Sequence, residues 1–115
     1  MDIQRLNPAA RWSDATIYEG IIHFVEVPED TSLSAEAQID QVLRQAAKTL
    51  AQVDSNPERI LSATLYFTDR ADLDVINKAW EAWLPSQCAP SRACVKVELV
   101  DPHMRIEIAF VAASV

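Results

Sequence analysis

Residues 88–113, CAPSRACVKVELVDPHMRIEIAFVAA, decide how the chain folds. They divide into two runs of strand periodicity, 91–99 and 104–112, around the turn residues Val100, Asp101, Pro102 and His103. In the first run Ala93, Val95, Val97 and Leu99 alternate with Arg92, Cys94, Lys96 and Glu98. In the second, Ile106, Ile108 and Phe110 alternate with Arg105, Glu107, Ala109 and Val111. The more apolar set of each run is expected to face a helical layer, and the other set to face away from it. A hairpin pairing Leu99 with Met104 would set Glu98 opposite Arg105, Lys96 opposite Glu107 and Cys94 opposite Ala109. Opposite-charge pairs across the strands then account for the outer charges.

Upstream, ATIYEGIIHFVEV reads as a hairpin of Ala15 to Tyr18 and Ile21 to Val27, with Gly20 supplying a positive φ at the turn. Pro28 and the polar residues after it end the pairing. From Ser34 to about Val53, apolar residues at Ala35, Ile39, Val42, Leu43, Ala46, Leu50 and Val53 fall on one helix face, with Ser34 as N-cap and Glu36 in the first turn. The segment ILSATLYFT, 60–68, alternates Leu61, Ala63, Leu65 and Phe67 with Ser62, Thr64, Tyr66 and Thr68, as a strand does. Asp69 or Asp72 then caps a helix carrying Leu73, Ile76, Trp80 and Trp83 and ending near Pro85. The order strand, strand, helix, strand, helix, strand, strand predicts an α+β sandwich: a mostly antiparallel sheet with two helices on one face.

Composition narrows the chemistry. The 115 residues fit a single domain, 1–115, and half of them are hydrophobic. A formal charge of -7 without a basic run disfavours nucleic acid and anionic membranes as partners. Neither a membrane span nor a signal-peptide core is found, so a cytoplasmic location is expected. With one glycine, Gly20, the chain cannot build a phosphate-cradling loop or a dinucleotide turn. Cys88 and Cys94 are expected as free thiols, their spacing matches no zinc pattern, and no metal site is expected. His23 and His103 have no partner at helical or strand spacing and receive no role.

The face turned away from the helices is expected to carry Arg92, Cys94, Glu107, Ala109, Val111, Thr64 and Tyr66, which is too apolar to stay solvated. Copies of the same chain in a closed oligomer are its most economical cover. Arg92 and Glu107 would then be partly buried, where a charge needs a partner or a purpose.

Three segments, in order, resemble the Rid family, also called YjgF/YER057c/UK114. APSRACVKVEL (89–99) is similar to its P-x-R-x-C/V-x-V signature, and MRIEIAFVAA (104–113) to its K-I-E-I-E-x-x-A ending. DLDVINKAWEAWL (72–84) is similar to its segment with an asparagine before an aromatic. The resemblance implies chorismate-mutase-like subunits in a homotrimer, with ligand clefts between neighbours. It also implies hydrolysis of reactive imines and enamines of the 2-aminoacrylate type to 2-oxo acids and ammonia, with no cofactor and no metal. By position, Arg92 matches the arginine that grips the substrate carboxylate, and Glu107 the glutamate that handles the attacking water. Cys94 matches a cleft residue that orients ligand or water, Asn77 a cleft-side asparagine, and Trp12 a position where many members have a cleft tyrosine.

Each residue also has a plainer reading. Cys94 alone is more often a small buried hydrophobe, Asn77 could bond its own helix, and an isolated Trp12 is more often packing. The chain departs from the family at Phe24 and Val25 of HFVEVP, where active members often carry serine and glycine, and at ARW (10–12), which replaces Gly-Pro-Tyr. These departures imply a narrower, more apolar cleft and keep open a second function, a trimeric small-molecule or partner-binding protein without turnover. The endoribonuclease and translation-inhibitor activity attached to some members is disfavoured by the acidic charge.

Overall fold

The structure, a computed structural model, describes residues 2–115. Strands β1 (Gln4–Leu6), β2 (Ala15–Tyr18) and β3 (Ile21–Glu26) precede helix α1 (Ala35–Gln52). Strand β4 (Ile60–Phe67), helix α2 (Leu73–Trp83), β5 (Ser91–Lys96) and β6 (Ile106–Ala113) follow. The strands form one sheet in the order β1-β2-β3-β6-β4-β5. Every neighbouring pair is antiparallel except β4 with β5. Both helices lie on one face, so the expected α+β architecture is the observed one. The short β1, which pairs Leu6 with Ala15, was not anticipated, because three residues carry no readable period.

Local chemistry explains the helices. Ser34 Oγ accepts the Ala37 N–H, and Ile39, Val42, Leu43, Ala46 and Leu50 are buried along one stripe of α1. Asp69 accepts the Ala71 N–H and caps a single 3-10 turn, 70–72, that leads into α2. Trp80 and Trp83 pack on Phe110 of β6, and Phe24 stacks on the same ring with centroids 4.8 Å apart. Leu61 departs from its expected face. A register shift between Ile60 and Ser62 gives the buried place to Ile60 and leaves Leu61 exposed.

The last two strands do not form the expected hairpin. Strand β5 pairs in parallel with β4, to which α2 connects it as a crossover, while β6 inserts between β3 and β4. Core packing explains the choice. Strand β6 buries Ile106, Ile108, Phe110 and Ala112 and takes the centre, whereas β5, largely exposed, takes an edge. The Glu98–Arg105 and Lys96–Glu107 pairs therefore do not form. Glu107 lies opposite Tyr66, and Arg105 instead bonds Asp72 through Nε and Nη2, both at 3.0 Å.

One buried polar side chain ties these parts together. Gln38 of α1 is 1% exposed. Its Nε2 donates to the carbonyls of Thr31, Leu33 and His103, and its Oε1 accepts the Arg105 N–H at 2.8 Å. The chain entering α1 and the chain entering β6 are thereby joined through a single amide. Gln38→Ala should destabilise the fold by about 2–4 kcal/mol, because it strands several part-buried backbone groups at once. Gln38→Glu should cost at least as much, since a carboxylate would face three carbonyl oxygens. Urea denaturation measures both, and a loss below about 1 kcal/mol for either would mean that water replaces the amide.

Candidate functional site

Register determines which way each candidate residue faces. Along β5, Arg92 aligns with Ala63 and Cys94 with Leu65, both buried residues of β4, so Arg92 and Cys94 are on the helix side of the sheet. Ala93 and Val95 align with Thr64 and Tyr66 on the open side. This reverses the expectation for β5, whose parity follows its parallel partner β4 and not β6. Along β6 the expectation agrees with the structure: Glu107, Ala109 and Val111 are half-buried on the open face. Arg92 and Glu107 therefore occupy opposite faces of one sheet.

The remaining candidates are also dispersed. Cys94 packs partly against the core, and both cysteines are free. Asn77 is half-buried on α2, beside the buried Ile76, with its Oδ1 buried and without a hydrogen-bond partner. Trp12, 67% exposed, stands on the loop between β1 and β2, which Asn7 closes by donating to Asp14 at 3.0 Å. That loop lies at the β1 edge of the sheet and Arg92 at the β5 edge. Within one chain, then, Trp12, Arg92 and Glu107 do not converge, and none of the five lines the cavity of about 670 Å³ between the β2–β3 turn and residues 52–54.

The open face is apolar, as expected, but without Arg92 and Cys94. Tyr18, Ile21, Val25 and Val95 are exposed on it, and Val25, 53% exposed, neighbours Ala109 two residues from Glu107. Phe24, in contrast, is buried in the core against Phe110, so of the two departures only Val25 can narrow a cleft on this face. Among the described residues Arg92 makes no ion pair; the salt bridges found are those of Arg105 with Asp69 and Asp72. No group of three or more His, Cys, Asp or Glu among those residues could hold a metal ion.

The sequence reading missed one ionisable group. Glu26 ends β3 at the same parity as the buried Ile22 and Phe24, a position that could have drawn notice to it. Its carboxylate accepts from Thr49 Oγ1 at 2.8 Å and Gln45 Nε2 at 3.5 Å. Desolvation raises its pKa above the ordinary value, and the nearby Asp14 and Glu29 push the same way, against the opposing effect of the two hydrogen bonds.

Comparison with known proteins agrees with this architecture. The family model described as Endoribonuclease L-PSP matches residues 2–114. A RutC family protein of Haemophilus influenzae is 39% identical over 97% of this chain and 98% of its own. The 3-aminoacrylate deaminase RutC of Acinetobacter baylyi is 29% identical over 91% of this chain and 83% of its own. The crystal structure of NMB1025, a YjgF family protein from Neisseria meningitidis, superposes with a TM-score of 0.95 at 34% identity, covering 100% of this chain and 97% of that one.

The Glu26 environment has a pH consequence. A carboxyl with a raised folded-state pKa stabilises the fold below its ordinary unfolded pKa, and that contribution is lost as the pH rises through the folded value. Glu26→Gln, which has no charge to desolvate, should melt higher than the parent at neutral pH. The gap should close as the pH falls below the ordinary carboxylate range. Thermal melts between about pH 4 and pH 8 test this, and a gap that widens on acidification would contradict it.

Proposed function

We propose that this chain, which belongs to the Endoribonuclease L-PSP family of Rid and YjgF proteins, hydrolyses reactive imines and enamines to 2-oxo acids and ammonia. The observation that carries the reading is the exposed, unpaired guanidinium of Arg92 on a chain where acidic residues outnumber basic ones, 17 to 10. Such a group, left unpaired although carboxylates are abundant in the chain, is available to a ligand carboxylate, and its planar fork suits a bidentate pair. The deaminase name of the Acinetobacter baylyi relative supports the same chemistry.

In this mechanism Arg92 holds the substrate carboxylate while the enamine tautomerises to the imine, gaining a proton from solvent at carbon and losing one to solvent from nitrogen. Glu107 positions a water and receives its proton as the oxygen attacks the imine carbon. Glu107 then passes that proton to the nitrogen as the carbinolamine collapses, releasing ammonia and leaving the 2-oxo acid. The imine is already electrophilic, so orientation supplies much of the rate. Cys94 and Asn77 would orient ligand or water, with Trp12 closing the cleft.

Because Arg92 and Glu107 stand on opposite faces, one ligand can meet both only if they come from two copies of the chain. A closed homotrimer that covers the open sheet faces fulfils this requirement. The second reading, a non-catalytic trimeric binding protein, draws on Val25, whose apolar side chain neighbours the Glu107 strand. Ammonia release from imines generated from a panel of amino acids separates the two.

Two further outcomes are expected. Arg92→Lys should keep the fold but bind 2-oxo acids roughly 30-fold more weakly, a loss of ~2 kcal/mol for two parallel N–H bonds that an ammonium cannot reproduce. Titration calorimetry with pyruvate reads this directly, and unchanged affinity with a lowered melting point would assign Arg92 a structural role. Mixing inactive Arg92→Ala and Glu107→Gln chains and reassembling them should restore about a quarter of parental turnover, the chance that a random cleft draws each intact residue from the right neighbour. No recovery would place both residues in one chain's own site.

A further inference from the structure

The two ion pairs of Arg105, the only salt bridges among the described residues, take no part in that chemistry. Arg105 sits where three elements meet. Its backbone N–H is held by Gln38 of α1. Its guanidinium bonds Asp72, the N-cap residue of α2, through Nε and Nη2 at 3.0 Å each, and Nη2 also approaches Asp69 at 3.6 Å. Two residues further along, β6 carries Glu107; five residues beyond Asp72, α2 carries Asn77.

Asp72 is 8% exposed, and it does not use its carboxylate to cap α2 although it occupies the N-cap position. The cap bond of this region is made one turn earlier by Asp69. The Asp72 carboxylate is thus committed to Arg105 at the expense of a local bond that the same residue type usually makes. A bidentate Arg–carboxylate pair constrains distance and angle together, which a single bond or a point charge does not.

We infer that Arg105 and Asp72 form a positioning clamp that fixes the start of α2, with Asn77, against the start of β6, with Glu107. Neither residue touches the substrate. The inference rests on the deaminase reading for its consequence on turnover. Its mechanical content, that α2 and β6 are aligned by this pair, is independent of that reading.

The test compares Arg105→Lys and Asp72→Asn with the parent, and with Arg59→Lys as a control. Arg59 bonds the Ala113 and Ser114 carbonyls, so its replacement loosens a different part of the fold. All four proteins are assayed well below their melting temperatures. Both clamp variants should lose about tenfold or more in kcat, because misplacement of about 1 Å at a reacting centre can cost about a hundredfold and a part of that shift is expected here. The 2-oxo acid affinity set by Arg92 should change less than twofold, and Arg59→Lys should keep its kcat even if it melts lower. Clamp variants with kcat within twofold of the parent would overturn the inference, as would a loss of kcat in Arg59→Lys that scales with its melting temperature. If the parent itself releases no ammonia from any imine, the deaminase reading fails. The clamp is then judged by the side-chain amide resonances of Asn77, which should shift in Arg105→Lys but not in Arg59→Lys. Unmoved resonances would overturn it.

Discussion

The Gln38 amide is the constraint on which the arrangement depends. It is buried, and it satisfies three carbonyls and one N–H from two separate stretches of chain. A buried amide of this kind is favourable only when its hydrogen-bonding capacity is used, so it selects one relative placement of its partners. Those partners are the loop entering α1 and the segment entering β6. The placement of β6 in turn decides where Phe110 stands under Trp80 and Trp83 and which face Glu107 occupies.

From that junction the helical layer is built outwards along α1. Gln45 donates to the Val27 carbonyl and accepts the Glu29 N–H, Gln41 accepts the Asp30 N–H, and Thr49 bonds Glu26. A polar ladder on one side of the helix thus pins the chain leaving β3, while the apolar stripe beside it packs on the sheet. The desolvated Glu26 carboxylate belongs to the same ladder. Among the described residues the sheet's other face has no comparable cover, and it is there that Glu107 and Val25 stand.

Much of this could be read from the sequence, for reasons that differ by element. The β2–β3 hairpin and both helices were located to within a residue or two, since their periods and caps are local properties. The last two strands were recognised as strands but wrongly paired. Both alternating sets of β5, Ala93 with Val95 and Arg92 with Cys94, are of mixed character, so pattern alone gave that strand no preferred face. Its parity depends on whether β4 or β6 is its neighbour, which is settled by packing far away in the chain. Gln38 was not singled out because its partners Arg105 and His103 are 67 and 65 residues distant. Of the site, the family-like segments marked Arg92, Cys94, Asn77, Glu107 and Trp12, but no local signal could say that Arg92 and Glu107 would face opposite ways.

The central position of β6 also bears on how the chain is made. Residues 106–113 separate β3 from β4 in the finished sheet, yet they are synthesised after both. Until they leave the ribosome, no strand can join β3 to β4. The rings of Phe24, Trp80 and Trp83 have no Phe110 to pack on. Apolar surface that β6 covers in the finished fold therefore stays uncovered until that strand arrives, an interval in which aggregation competes with folding.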